Sequence, residues 1–395
     1  MLIQEITLQG ILSFGPETPP LEMRPLNVLI GANGSGKSNL IEAIGLLRSA
    51  PIKLWQPVFS GGGVSEWIWK GSTQKIATLS AVISHMPQHL SFLQPSNDLI
   101  RHQIVFSEFQ NRFALQQEVI EKLGQNSGEQ AEEEVYRYML GNAKLRMDDG
   151  NIQSLTFGEL AFDQSILSQR VDPFQYRTFG RLAHAYYNIG LYRDWSFGRS
   201  SALRTPQPAD IPADRLAEDF SNLGMFLNRL RRTPSVKKEI IGHLKDLYTG
   251  LDDFDVSVVG GTVEVVLTEG DFTIPARRLS DGTLRYLCLL AILCDPDPPK
   301  LVCIEEPELG LHPDLLPSLA KLLIEASERM QLIVTTHSDI LVDTMSETPE
   351  SVVVFEKHDG KTEMKRLETG EVEPWLEKYR LGELWIRGQI GGTRW

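Results

Sequence analysis

The eight residues Gly31-Ala32-Asn33-Gly34-Ser35-Gly36-Lys37-Ser38 leave the chain around them little choice of architecture, because they match the phosphate-cradling pattern G-x-x-x-x-G-K-[ST] without a mismatch. Before them runs Leu26-Asn27-Val28-Leu29-Ile30, short and apolar as a buried strand is; after them Asn39-Leu40-Ile41-Glu42-Ala43-Ile44 places apolar residues at helical spacing. Strand, glycine turn and helix are predicted in that order. A chain that wraps a phosphate needs dihedrals and a closeness of approach that a Cβ forbids, hence the glycines. Asn33, Gly34, Ser35, Gly36, Lys37, Ser38 and Asn39 are the expected contacts, with Lys37 reaching the β- and γ-phosphates and Ser38 offering its hydroxyl to Mg²⁺.

A chain of 395 residues, 42% hydrophobic and 23% charged, is long enough for one large domain or two ordinary ones. Its formal net charge of −13 creates no whole-molecule attraction to nucleic acid or anionic membrane, so any such binding needs a local patch. Cys288, Cys294 and Cys303 are odd in number and lie in or beside apolar runs, which predicts reduced core thiols in a cytoplasmic setting. Met1-Leu2-Ile3-Gln4-Glu5-Ile6 alternates like a strand rather than a signal peptide, and no apolar run approaches the ~20 residues of a membrane span.

By texture the chain divides into three. Residues 1–106 read as the N-terminal lobe of the nucleotide head, with strands over 3–8, 26–30, 75–83 and 100–106. Within it, Gly61-Gly62-Gly63-Val64-Ser65-Glu66-Trp67-Ile68-Trp69 reads either as a second loop facing the nucleotide or as a turn with two packed tryptophans. Residues 107–250 predict a helical insert, with helices over 109–123 and 132–145 joined by Gly124-Gln125-Asn126-Ser127-Gly128, and over 215–230 and 236–247. The acidic run Glu132-Glu133-Glu134 suits a helix start, and the proline-rich 205–212 an extended linker. Residues 251–395 return to strands: a hairpin about Gly260-Gly261, parallel-type strands over 301–304 and 332–335 around a helix at 316–326, and a strand at 351–355. Asp253-Phe254-Asp255 reads as a turn.

Leu279-Ser280-Asp281-Gly282-Thr283 reads first as an N-cap for a helix with Leu284, Leu287, Leu290 and Leu293 among its apolar residues. The order of the segments C-terminal to it adds a second reading. The strand Leu301-Val302-Cys303-Ile304 ends in Glu305-Glu306-Pro307-Glu308, where an open α/β sheet places its reactive groups. Adjacent acids on a strand end point different ways, so one can hold Mg²⁺ while the next orients a water. The next strand then delivers His337 and Ser338 at its tip, where an imidazole can sense a γ-phosphate.

Gly31 to Ser38 as Walker A, Leu279-Ser280-Asp281-Gly282 as the signature, Ile304-Glu305-Glu306-Pro307 as Walker B and Thr336-His337-Ser338 as the switch histidine together resemble an ABC-type ATPase. Within that class the chain is similar to the chromosome-maintenance (SMC) and RecF-like branch, and most of all to bacterial stand-alone RecF/OLD-like ATPases. The resemblance covers residues 1–75 and 255–360. It implies an α/β ABC-type P-loop ATPase head, a mixed sheet with an antiparallel β element, carrying the helical insert. It also implies a homodimer in which ATP held by one subunit is covered in trans by Ser280 and Gly282 of the other. Lys37, Glu306 and His337 are then the catalytic set, with Glu306 orienting the attacking water, and Ser38 and Glu305 hold Mg²⁺.

Glu305 stands where this class usually has Asp, so the metal geometry absorbs an extra methylene and slow hydrolysis is expected. Gln56 and Gln74 both sit awkwardly for the lid glutamine, and neither is assigned. Two outputs are open. One is an ATP-driven switch acting on DNA, in repair or in defence against foreign DNA, through the basic patch Arg229-Leu230-Arg231-Arg232 with Lys237-Lys238, which a solvated helix end also explains. The other is a regulatory subunit that controls a partner nuclease or effector without gripping nucleic acid. No Asn/Thr-Lys-x-Asp motif of a GTPase is present, and no nuclease domain is expected in the residues after His337.

Overall fold

The computed structural model describes residues 1–84, 99–124, 132–148, 150–156, 158–199, 201–247 and 250–392. They fall into two compact units, Met1–Ile189 with Val353–Arg366, and Gly190–Val352 with Leu367–Ile390.

The first unit is built on an antiparallel sheet of eight strands. Leu21–Glu22 lies at one edge, followed by Ile3–Gln9, Ile76–Ile83, Leu99–Phe109, Arg112–Leu123, Glu132–Met139, Asn142–Arg146 and Ile152–Leu155. Ile6 and Leu8 point inward by the alternation that marks a half-buried strand, and a shift in register between Ile3 and Glu5 leaves Ile3 buried as well. Separately, Leu26–Gly31, Val352–His358 and Lys361–Arg366 lie side by side in that order, and the first of these, buried at every residue, feeds the helix Lys37–Ser49. Trp67 is buried, and the Trp69 indole donates to the carbonyl of Gly360, so the glycine-rich stretch ends in packed tryptophans.

The helices expected over 109–123 and 132–145 are strands. Two irregularities in register explain the misreading. Val105 pairs with Gln117 and Phe106 with Leu115, leaving Gln116 as an extra residue, and a second shift falls between Ile120 and Glu121. Residues 113–115 and 118–120 are buried in runs of three rather than in alternation, so Leu115, Val119, Ile120 and Leu123 fall at spacings that mimic a helix; the second shift leaves Val135 as the extra residue in Glu132–Met139 and breaks the alternation there. The acidic run therefore opens a strand: Glu133 pairs with Lys122 and Arg146, and Glu134 with Arg137. Of the expected connector, Gln125, Asn126, Ser127 and Gly128 lie outside the described residues.

In the second unit Leu301–Glu305 and Gln331–Thr335 pair in parallel, with Ile189–Tyr192 beside the first. The helix Asp281–Leu293, buried throughout from Thr283, and the helix Leu316–Ser327 accompany them. The hairpin about Gly260-Gly261 joins Asp253–Val259 to Thr262–Glu269, both glycines taking the positive φ such a tight turn demands (59° and 80°).

Three expectations need correction here. Asp253-Phe254-Asp255 is strand, not turn, with Phe254 fully buried. The 205–212 linker contains the short strand Gln207–Pro208, paired with Val263 and Thr262 at a sheet edge that tolerates proline. The helix expected over 215–230 begins only at Leu223, as Leu223–Leu230, because the Asn222 amide accepts from the N–H of Ala217 (2.8 Å) and donates to the carbonyls of Pro212 (2.9 Å) and Arg215 (2.7 Å), holding the preceding segment in turns. The helix over 236–247 is present as Pro234–Leu247. All three cysteines are buried thiols, and burial pushes Cys288 and Cys294 well above the ordinary thiol range. Among the described residues no helix is long and apolar enough to cross a membrane.

Candidate functional site

In the first unit the phosphate loop is shaped by the residues behind it. Gly31 has φ 147°, and a Cβ there would stand 2.2 Å from the carbonyl oxygen of Phe355. Gly36 has φ 108°, and its Cβ would meet Thr362 Oγ1 at 2.3 Å and Ser13 Oγ at 2.7 Å. Those two hydroxyls brace the loop: Thr362 Oγ1 lies 2.7 Å from both Ser13 Oγ and the carbonyl oxygen of Ser35. The Asn39 amide donates to Ser13 Oγ (2.7 Å), so this expected phosphate contact spends its side chain on the brace. Lys37 is buried and its Nζ donates to the carbonyls of Gly31 (2.8 Å) and Ala32 (3.0 Å), curling over the loop. Asn33, Gly34 and Ser38 are exposed, whereas Ser35 and Gly36 are buried.

Gly34 takes φ 75° with open space where its Cβ would stand. The two glycines therefore predict different outcomes. Gly34→Ala carries only the left-handed backbone cost, about 1–2 kcal/mol, while Gly36→Ala adds a collision with the brace. Thermal melts should show Gly36→Ala lower than Gly34→Ala by several degrees; equal melting temperatures would contradict a brace fixed by Ser13 and Thr362.

In the second unit, Glu305 pairs in register with Thr335, so both strands leave the sheet at one edge and release Glu306 and His337 together. His337 Nε2 lies 3.5 Å from Glu306 Oε1. Glu306 adopts φ 46°, a left-handed backbone uncommon for a residue with a side chain. It is held there by its N–H, which donates to the carbonyl and hydroxyl oxygens of Thr335 (both 3.1 Å), and by Arg285, whose Nη1 donates to the Glu306 carbonyl (3.1 Å).

Arg285 is itself held against a stacked pair of aromatic rings, its guanidinium carbon 4.8 Å from the Trp195 ring and 5.3 Å from that of Phe197. Burial lowers its pKa below the ordinary arginine value while Glu308 and Glu306 oppose the shift. The Trp195 indole donates to the Glu305 carbonyl (2.8 Å), and Arg193 Nε stands 3.3 Å from Glu305 Oε1, an ion pair whose alignment falls short of a hydrogen bond. Glu308 Oε1 accepts from the Thr336 hydroxyl and the His337 N–H, and its Oε2 is buried without a hydrogen-bond partner.

Ser280 caps the helix Asp281–Leu293, its hydroxyl accepting from the N–H of Thr283 (3.1 Å), and Asp281 pairs with Arg204. Gly282 packs so tightly that a Cβ would stand 2.7 Å from the Gly310 carbonyl. The signature turn and the loop after the paired carboxylates are thus in contact within one unit.

Sequence reasoning missed Arg193, Trp195, Phe197, Arg285 and Glu308. Glu308 was in view within Glu305-Glu306-Pro307-Glu308, and Arg285 within the signature helix. Arg193-Asp194-Trp195-Ser196-Phe197 carried no motif, only an unusual density of aromatic and cationic residues.

A glycine loop closed by lysine at a helix start, and a carboxylate strand end facing a histidine strand end, are the marks of an AAA-like ATPase domain. The chain belongs to the family described as "AAA domain, putative AbiEii toxin, Type IV TA system", which matches residues 26–343. Its fold is similar to that of an SMC head solved bound to the C-winged helix domain of ScpA (TM-score 0.58, 14% identity, 94% of this chain and 100% of that chain covered). It is also similar to an SMC head with an extended coiled coil, bound to the C-terminal domain of ScpA, from Pyrococcus furiosus (0.55, 14%, 96% and 99%). A third similar structure is an SMC head with a coiled coil and joint from Pyrococcus yayanosii (0.53, 13%, 96% and 99%). No curated protein matches the chain by sequence.

Proposed function

We propose that this ATPase is a dimerising switch that hydrolyses ATP slowly and reports its nucleotide state to a protein partner. The observation that carries the chemistry is the Glu306–His337 pair, 3.5 Å apart at neighbouring strand ends. Glu306 takes a proton from the attacking water as its oxygen bonds to the γ-phosphorus, the bond to the β-phosphate oxygen breaks, and ADP and phosphate leave. His337 holds the water and the γ-phosphate in register. Lys37 and the loop amides bind the phosphates, and Ser280 and Gly282 of the second copy complete the cage in trans.

The residue chemistry suits Mg²⁺, a hard cation that prefers oxygen ligands: Ser38 has an exposed hydroxyl and Glu305 a carboxylate. These two residues would hold the ion, which when bound neutralises phosphate charge.

The basic patch favours a protein partner over DNA. Arg229 forms a two-pronged pair with Asp295, Arg231 pairs with Asp255, and Lys237 with Asp253, leaving Arg232 and Lys238 as its exposed cations. Cations already matched to carboxylates release few counterions on meeting a phosphate backbone. The similar SMC heads solved with ScpA domains carry protein partners, and the family description concerns toxin–antitoxin systems; both accord with a protein output. The test combines phosphate-release assays with duplex-DNA anisotropy across salt. ATP-dependent turnover with DNA binding no tighter than about 10⁻⁴–10⁻⁶ M is expected. Nanomolar binding that weakens about 10³-fold or more between 50 and 200 mM salt would favour a switch acting on DNA in repair or defence.

A further inference from the structure

Glu308 stands two residues beyond Glu306 and touches neither Glu306 nor the imidazole of His337 in any hydrogen bond. Its hydrogen bonds come from the Thr336 side chain and from the backbone N–H of the residue that carries the imidazole. Two donors converge on Oε1: the Thr336 hydroxyl at 2.8 Å and the His337 N–H at 2.7 Å. The Thr336 hydroxyl oxygen also accepts from the N–H of Ser338 (2.9 Å), and Ser338 Oγ accepts from the N–H of Leu341 (3.2 Å) at the start of the helix Asp339–Thr344. One carboxylate oxygen thus fixes residues 336–338 to the turn after Glu306. Donors to a carboxylate are about twice as strong as neutral ones, and here they act where water is largely excluded. Burial raises the Glu308 pKa above the ordinary carboxylate range, opposed by those same donors.

We propose that Glu308 is a positioning residue: it clamps the His337 backbone so that the imidazole is held at its 3.5 Å separation from Glu306, and it thereby sets the rate at which water is activated. This rests on the ATPase reading above. Both carboxylate oxygens are turned into the protein, Oε1 taken by two donors and Oε2 buried, so removing the clamp should slow turnover without loosening ATP. A residue that merely stabilised the fold would lower the amount of active protein and leave the kinetic constants of the folded fraction alone.

The experiment compares Glu308→Ala and Glu308→Gln with the wild-type full chain in steady-state ATP hydrolysis, alongside thermal melts. Glu308→Ala should lower kcat about 10- to 100-fold, the scale on which small misplacements cost rate, with KM within about twofold. Glu308→Gln keeps an oxygen acceptor at the same place and should recover most of kcat. A folded Glu308→Ala protein with wild-type kcat, or one whose loss lies in KM, overturns the clamp, as does a glutamine variant no better than alanine. Should alanine fail to fold, Thr336→Val removes one donor at nearly constant volume, and an unchanged kcat there overturns the proposal equally.

A wild-type chain that binds ATP without turning it over removes the ATPase reading, and the catalytic role of Glu308 with it. The contact is then still readable in protein labelled with ¹⁵N-histidine. The His337 amide proton should move upfield in Glu308→Ala while the other histidine amides stay in place; an unmoved His337 amide shows that the carboxylate does not hold it.

Discussion

Lys37→Ala should abolish ATP binding. Lys37 heads the helix Lys37–Ser49, and its ammonium is already drawn over the loop by the carbonyls of Gly31 and Ala32, so little reorganisation separates it from a phosphate arriving at the same place. A charged hydrogen bond of this kind contributes about 1.5–3 kcal/mol. Contacts to both the β- and γ-phosphates would together amount to about 10²–10⁴ in affinity. Titration calorimetry with ATP and Mg²⁺ reads the loss directly, and a melt in the absence of nucleotide shows whether the loop has kept its shape. Wild-type affinity in a folded variant would falsify the phosphate-loop assignment.

Glu306→Gln should do the opposite to binding: ATP stays, turnover falls by about 10²-fold or more as the proton acceptor is lost, and an ATP-bound dimer accumulates on size exclusion with light scattering. Glutamine is the informative replacement because the backbone there is left-handed (φ 46°), and a side chain of the same length leaves the bonds from Thr335 and Arg285 to the main chain undisturbed. A glycine would relax that backbone and confuse two effects. A variant that stays monomeric in ATP and hydrolyses it at the wild-type rate would remove Glu306 from its assigned role.

The parts of the site that were legible in the sequence are those whose residues are consecutive. The glycine loop, the Ser280 cap and the two carboxylates at a strand end each announce themselves within about eight residues, because local backbone geometry dictates residue type there. The support was not legible. Arg285 is one more long side chain in an apolar helix until the stacked rings of Trp195 and Phe197, some ninety positions earlier, turn out to hold it. The pairs that occupy Arg229, Arg231 and Lys237 come from carboxylates at Asp295, Asp255 and Asp253, so an apparent basic patch was largely matched by charge the sequence could not place. Secondary structure failed where the extra residues Gln116 and Val135 broke the alternation, and a local pattern of threes and fours then read as helix. Only the pairing of each strand with its neighbours settles such a stretch.

The hydroxyl pair behind the phosphate loop joins residues 349 positions apart, Ser13 to Thr362. During translation at about 5–20 residues per second, the loop would leave the ribosome tens of seconds before its support exists. A nascent chain therefore carries the glycine motif long before it carries a shaped nucleotide cradle, and competence to bind ATP waits until Thr362 has been made.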